Sequence, residues 1–303
     1  MAKNGGWEHR EQLGPAAAGK TALEWLAARP GGAPVAEWRA RFEQGQVLLD
    51  SAVAQPGQLL RAGQWLSWRR PPWEEPEVPL WFEVLHLDDA LLAVHKPSGL
   101  PTLPGGGVFQ DHTLLALLRA RFPEATPLHR LGRHTSGVLL CARTIAARAA
   151  AARALEQPDV RKIYRALASG VIPRDAFAIE APIGELAYAP LGRLHAASPQ
   201  GRASRSRVQV LERRAGSTLV DVEIDTGRPH QIRIHLAWAG HPLVGDPLYG
   251  LGGVPRDGCT AVPGDGGYLL HAAQLVLRHP ASAELLDLRS PPPEGLRSAG
   301  ETG

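Results

Sequence analysis

The hydrophobic positions of the chain change their spacing along its length, and the changes divide it into two blocks. The first block covers residues 20–70. Two short helices begin it, predicted from apolar residues at helical spacing: Leu23, Leu26 and Ala27, then Val35, Trp38 and Phe42. Strand-like apolar runs follow at 47–49, 59–60 and 65–68. This order predicts a small domain of two helices and a short sheet.

The second block, residues 80–289, alternates strands with a few helices. Its clearest strand signal is Val220, Val222 and Ile224, which alternate with acidic residues as in a half-buried antiparallel strand. Helices are predicted to begin at Thr113 and Thr144, whose side chains can cap them, and at Pro229. Strands and helices without a regular βαβ order favour an α+β fold with a mainly antiparallel sheet.

Three further segments connect or extend the blocks. Residues 71–79 are rich in proline and predict a linker. Residues 1–19 and 290–303 are predicted to be a flexible N-terminus and a flexible tail.

The composition narrows the class of protein. With 303 residues, 44% hydrophobic and a net charge of +3, the chain has the composition of a soluble globular protein. No signal peptide or membrane-spanning run is recognisable, and the two cysteines, Cys141 and Cys259, fit neither a disulfide framework nor a metal site. We therefore expect a cytoplasmic monomer. So small a charge excess does not itself indicate nucleic-acid binding, so the case depends on local clusters.

The densest chemical cluster is the segment 129–137, His-Arg-Leu-Gly-Arg-His-Thr-Ser-Gly, which leads into the apolar run 138–141. A basic loop fixed to a buried strand is a plausible site for an anionic polymer, and a solvated basic turn is the alternative. No Cys/His cluster or phosphate-binding loop is present, so we expect no metal and no nucleotide cofactor.

This segment resembles the catalytic motif of the RluA-type RNA pseudouridine synthases, His-Arg-Leu-Asp-Arg-x-Thr-Ser-Gly. Four further motifs of that family follow the same order, at 92–101, 162–166, 226–236 and 240–250. The resemblance implies a pseudouridine synthase-like fold and a cofactor-free enzyme that isomerises uridine in structured RNA, either rRNA or tRNA. A target base inside a helix would have to be flipped out into a pocket.

The resemblance also assigns the site. Gly132 stands where the family has its catalytic aspartate, Tyr164 would stack on the base and take part in proton transfer, and Arg233 would be the ion partner of the missing aspartate. Further substrate-binding residues are expected at Arg130, Arg133, Lys162, Arg228 and His230. Glycine has no side chain for nucleophilic or acid–base chemistry. Arg233 would then have to pair with substrate phosphate, another carboxylate or water.

Three functions therefore stay open, of which the third is a scaffold protein that has lost RNA binding as well and is disfavoured by the retained arginines. The first is a working synthase, in which Asp225 or Asp246 could replace the absent carboxylate. The second is an RNA-binding pseudoenzyme that kept the scaffold and lost turnover.

The first block resembles the small alpha-L RNA-binding module. Arg39 and Arg41 on its second helix would contact RNA, and the glycines at 45 and 63 occupy matching turns. The alternative is a small packing domain with solvated arginines.

Overall fold

The computed structural model describes residues 3–29, 33–105 and 108–301. Contacts divide the chain into two compact units, with the division between Glu75 and Pro76. This division falls inside the segment predicted as a linker, residues 71–79.

The smaller unit packs two helices against a four-stranded sheet of order β1-β4-β2-β3. Thr21 starts the first helix with a capping box, since its side chain accepts from the Glu24 amide and the Glu24 carboxylate accepts from the Thr21 amide. Leu26, Trp38 and Leu66 are buried in its core. The elements are β1 (Trp7–Gln12), α1 (Ala22–Ala27), α2 (Val35–Glu43), β2 (Val47–Leu49), β3 (Ala52–Val53) and β4 (Trp65–Arg70).

Strand β1 lies inside the segment predicted to be flexible, residues 1–19. It pairs with β4 in antiparallel register, with Trp7 opposite Arg70 and Gln12 opposite Trp65. The prediction of flexibility is therefore wrong for this strand. Its residues are mostly polar, and its partner lies about 60 residues along the chain, so the local pattern gave no strand signal.

The larger unit is built on a ten-stranded sheet with the order β10-β13-β14-β9-β15-β8-β6-β5, where β16 also pairs with β15 and β7 with β8. Strands β11 and β12 form a separate hairpin. The strands and helices are β5 (Glu83–Leu87), β6 (Leu91–Lys96), α3 (Leu114–Arg121), β7 (Thr126–Pro127), β8 (Thr135–Ala142), α4 (Ile145–Ala154), β9 (Arg161–Ser169), β10 (Ala176–Ile179), β11 (Ile183–Tyr188), β12 (Gly192–Ala197), β13 (Ser206–Arg214), β14 (Ser217–Ile224), α5 (Gln231–Trp238), β15 (Leu270–Arg278) and β16 (Leu285–Arg289).

The prediction of an α+β fold with a mainly antiparallel sheet is confirmed. Among the described strands, β8 and β15 form the one parallel pair. Helices α3 and α4 begin after the predicted caps, because the hydroxyls of Thr113 and Thr144 accept from the amides three residues on. Within the described ranges, no helix is long and apolar enough to cross a membrane.

The last described residues are also more ordered than predicted. Leu296 is fully buried, and the Arg165 guanidinium donates to its carbonyl and to the carboxylate of Glu301. The prediction of a flexible tail is thus wrong over residues 290–301. The partners of this segment lie on β9, more than 130 residues away, so the tail composition could not reveal them.

A single glycine sets the distance between the two central strands. Gly137 has φ of +109°, and a Cβ atom there would lie 2.2 Å from the carbonyl oxygen of Ala272 on β15. Any other residue would push β8 and β15 apart. This close approach brings the start of β8 against β15, which pairs with β9 on its other side, and the candidate site lies at this point.

Candidate active site

A cavity of about 280 Å³ lies where β8, β9 and β15 meet the loop between β14 and α5. Gly132 lines it, with its exposed backbone ahead of β8. The polar side chains that line it include Arg130, Lys162, Tyr164, Arg228, His230 and Arg233. The structure therefore gathers residues from three separate motifs of the sequence, 129–137, 162–166 and 226–236, around one cavity.

Strand pairing places Tyr164 in this wall. It lies on β9 between Val222 of β14 and Ala272 of β15. Burial raises the pKa of its phenol to about 12, so the hydroxyl stays protonated at neutral pH. An aromatic face with a neutral hydroxyl can stack on a base and donate a hydrogen bond.

Arg233 projects from α5 into the same wall and is almost completely buried. Its Nε and Nη2 donate to the two carboxylate oxygens of Asp246 at 2.7 and 2.8 Å, and Nη1 donates to the Pro263 carbonyl at 3.2 Å. The sequence left three partners open for this arginine; the structure selects another carboxylate. The charge of Arg233 is thus compensated without any side chain at residue 132.

Both oxygens of the Asp246 carboxylate are occupied by these hydrogen bonds. One oxygen also accepts from the amides of Leu248 and Tyr249, and the side chain has no exposed surface. Burial alone would raise its pKa, but the hydrogen bonds and charge of Arg233, with those amides, hold the pKa below its usual value. Asp246 is absent from the cavity lining, so the structure gives it a structural role.

Asp225, the other carboxylate considered as a replacement, also lies outside the cavity lining. Its oxygens pair with Arg207 at 2.7 and 2.9 Å, and Arg205 lies 3.9 Å away. No aspartate or glutamate lines the cavity among the described residues.

His230 precedes α5 in a left-handed conformation, with φ of +55°. Such a backbone is uncommon outside glycine and is typical of functional sites. The Tyr249 hydroxyl donates to the His195 carbonyl at 2.7 Å, so its oxygen accepts from Nδ1–H of His230, also at 2.7 Å. Burial, with the charge of Arg233, lowers the pKa of His230 to about 3. The ring is therefore neutral, and its Nε2 is an acceptor.

The remaining predicted binding residues separate into two groups. Arg130, Lys162 and Arg228 line the cavity and form no ion pair with any described residue, and the Nε of Arg228 is buried without a hydrogen-bond partner. Arg133 does not line it. Its Nε donates to the ring of His134, and its guanidinium lies over Phe109. The side chain after residue 132 points away from the cavity, which the motif could not show.

The two arginines of the smaller unit also differ. Arg39 is exposed. Arg41 lies over the rings of Trp38 and Trp68, with centroid distances of 4.8 and 4.6 Å, and pairs with Glu37. Arg41 is thus part of the packing of this unit, and the alternative of a packing role fits it better than RNA contact.

Sequence reasoning missed Tyr268 and His129, which line the cavity as well. Tyr268 precedes β15 and lies beside Gly132, while His129 accepts from the Leu140 amide at 3.0 Å and has its pKa lowered to about 4 by burial and by Lys162. The only available signal for Tyr268 was a lone aromatic residue after the glycines 266 and 267. No cluster that could hold a metal occurs in the described ranges.

Comparison with known proteins agrees with this fold. Residues 90–238 match the family described as RNA pseudouridylate synthase. An uncharacterized RNA pseudouridine synthase of Synechocystis is 46% identical over 85% of this chain and 89% of its own length. The ribosomal large subunit pseudouridine synthase D of Nitrosomonas europaea is 37% identical over 84% of this chain and 76% of its own length.

A solved structure gives the same result. Human RNA pseudouridylate synthase domain containing 1 superposes with a TM-score of 0.58 and 28% identity, over 73% of this chain and 87% of that chain. Sheet, cavity and motifs define an RNA-modifying isomerase. The chain belongs to the RNA pseudouridine synthases, and within them to the RluA type.

Proposed function

We propose that this chain isomerises specific uridines to pseudouridine in structured ribosomal RNA, with the cavity beside Gly132 as the site that receives the flipped nucleoside. The observation that carries the proposal is that Tyr164 and Arg233 line one cavity with residue 132 at its edge. A relative named for the ribosomal large subunit supports ribosomal RNA over tRNA. The monomeric state and the cytoplasmic location stay predictions.

The cavity suits an extruded nucleotide. Arg130, Lys162 and Arg228 have no described carboxylate within ion-pair distance, although Glu156 acts on Lys162 from farther away, so their positive charge can bind phosphates. The ring of Tyr164 offers a stacking face, as enzymes that flip bases use. Isomerisation must break the bond from N1 to the ribose, turn the base and join C5 to the same ribose carbon, while C5 loses its proton and N1 takes one up. In this proposal Tyr164 holds the base during that rotation, and Arg233 holds the site in place.

Binding of RNA without turnover is the second candidate, and one observation favours it. The cavity lining has no carboxylate among the described residues, so the group that the family uses at residue 132 has no replacement there. The two candidates differ only in whether pseudouridine is formed.

The test is to restore the carboxylate. The backbone of Gly132 lies outside the left-handed region, so an L-residue is allowed there. Gly132→Asp is expected to raise single-turnover formation of pseudouridine by about 10²-fold or more, since losing such a group commonly removes several orders of magnitude. Pseudouridine is mapped in ribosomal RNA from cells lacking the gene, carrying it, or carrying the variant.

Gly132→Asn is the matched control, because it fills the same space without the charge. Equal activity of the Asp and Asn variants, both folded, would contradict the assigned site. Pseudouridine made by the unaltered chain supports the synthase. RNA binding with no pseudouridine until the aspartate is restored supports the second candidate.

A further inference from the structure

Tyr268 lies next to the space that a side chain at residue 132 would occupy. A Cβ atom on Gly132 would lie 3.1 Å from the hydroxyl oxygen of Tyr268 and 3.4 Å from Oγ1 of Thr135. The distance to Tyr268 is short for a carbon in contact with oxygen, while the distance to Thr135 is at the limit of ordinary van der Waals contact. The Tyr268 hydroxyl therefore lies in direct contact with the position that the Cβ atom of an aspartate would take.

The position of Tyr268 is fixed by its surroundings. The residue is 4% exposed, and its ring lies over the Arg233 guanidinium, 4.2 Å from the centroid. Just before it, Gly267 approaches Gly245 so closely that a Cβ on Gly245 would lie 2.1 Å from the Gly267 carbonyl oxygen. This contact joins the segment before Asp246 to the segment before Tyr268, and both residues meet at Arg233.

The four tyrosines of the chain fall into two pairs. The hydroxyls of Tyr188 and Tyr249 donate to backbone carbonyls, at 2.6 Å to Ala261 and at 2.7 Å to His195. The hydroxyls of Tyr164 and Tyr268 have no hydrogen-bond partner among the described residues, and both tyrosines line the cavity. Neither hydroxyl is among the buried polar atoms that lack a partner, so each has surface open to the cavity, where a ligand can form a hydrogen bond with it.

We propose that Tyr268 is a substrate-contacting residue, whose hydroxyl binds the flipped nucleoside on the side of the cavity where the family has its aspartate. The inference rests on the proposed function and adds a residue that the family motifs do not include. A phenol both donates and accepts a hydrogen bond, so it can serve either a ribose hydroxyl or a base carbonyl. The cations of the cavity can only donate, so the Tyr268 oxygen adds a second acceptor for the sugar beside Nε2 of His230.

The same geometry couples residues 132 and 268. An aspartate at 132 would accept from the Tyr268 hydroxyl and take it away from the nucleoside. In Gly132→Asp, the hydroxyl of Tyr268 would then matter less for substrate than it does in the unaltered chain.

The experiment compares Tyr268→Phe with Tyr188→Phe in the full chain. Both remove one phenol hydroxyl, but only the first faces the cavity, and phenylalanine keeps the ring over Arg233. Binding of uridine 5′-monophosphate is followed by saturation-transfer NMR, and pseudouridine formation by single-turnover assay on transcribed 23S rRNA. We expect Tyr268→Phe to weaken binding of the nucleotide about 3- to 10-fold, with an unchanged thermal midpoint, since a lost hydrogen bond has that effect.

Tyr188→Phe should show the opposite pattern, with a lower thermal midpoint and unchanged nucleotide binding. The proposal is overturned if Tyr268→Phe binds the nucleotide as the unaltered chain does, or if the unaltered chain does not bind it at all. If the unaltered chain makes no pseudouridine but Tyr268→Phe still weakens nucleotide binding, the isomerase function fails while the role of Tyr268 stands. Smaller loss on Tyr268→Phe in the Gly132→Asp background supports the coupling; an equal loss contradicts it.

Discussion

The positive charges of the smaller unit and those around the cavity of the larger unit differ in their partners. In the smaller unit, Arg41 lies over two tryptophan rings and pairs with Glu37, and Arg29 pairs with Glu11. Around the cavity, the basic side chains of 130, 162 and 228 have no ion pair among the described residues. Arg29 and Arg41 thus take part in the folding contacts of their unit, unlike the exposed Arg39, while the cations around the cavity keep their charge for a ligand.

Arg233 shows that position alone does not decide which set a cation joins. It lines the cavity, yet Asp246 neutralises it and Tyr249 and Tyr268 cover its faces. A buried guanidinium must have such partners, because an unpaired buried charge costs several kcal/mol. The cavity thus contains one neutralised cation, Arg233, and three cations without an ion pair, Arg130, Lys162 and Arg228.

The largest expected effect comes from removing the carboxylate charge that neutralises Arg233. Asp246→Asn removes the charge that compensates Arg233 and should lower the free energy of unfolding by about 3–5 kcal/mol. Urea denaturation at pH 7 measures the loss.

The pH dependence sharpens this test. Since the pKa of Asp246 is lowered in the fold, its stabilisation is complete above the unfolded value near 4 and is lost as pH falls through the lower folded value. The deficit of Asp246→Asn should therefore shrink below about pH 4. A deficit that is constant down to pH 2 would mean that the carboxylate charge is not what stabilises this region.

A smaller effect is expected in the smaller unit. Arg41→Met should destabilise it by about 1–2 kcal/mol through lost contacts with Trp38 and Trp68. Arg39→Met, on the same helix, should leave stability within about 0.5 kcal/mol because that side chain is exposed. Hydrogen exchange of the backbone amides of residues 35–70 distinguishes the two variants. Equal protection in both would mean that Arg41 stabilises the unit no more than Arg39 does.

The smallest effect on folding, with a clear effect on binding, is expected at the cavity walls. Lys162→Met and Arg228→Met should each reduce the slope of log affinity against log salt for structured ribosomal RNA by about 1. Stability should change little, since neither side chain has a carboxylate partner. If the slope of log affinity against log salt is unchanged in both variants, RNA phosphates do not contact Lys162 or Arg228.

The sequence predicted some elements of the fold and missed others. Threonine caps and alternating valines marked α3, α4 and β14, because these signals lie within a few residues of the element they specify. Strand β1 and the segment 290–301 gave no such signal, since their partners lie far along the chain. The motif around Gly132 identified the family but placed Arg133 in the site, where the fold turns it away.

By itself, the sequence determined the class of fold, the family and the absence of a carboxylate at residue 132, because each is written in local spacing or in a single residue. Only the tertiary structure decided which groups share the cavity. The contact of Tyr268 with the space beside Gly132 depends on how β8 and β15 pair, and Arg233 on α5 meets Asp246 only because the loop after α5 folds back on that helix. Contacts between residues more than a hundred positions apart are set by packing, and packing is a property of the whole core.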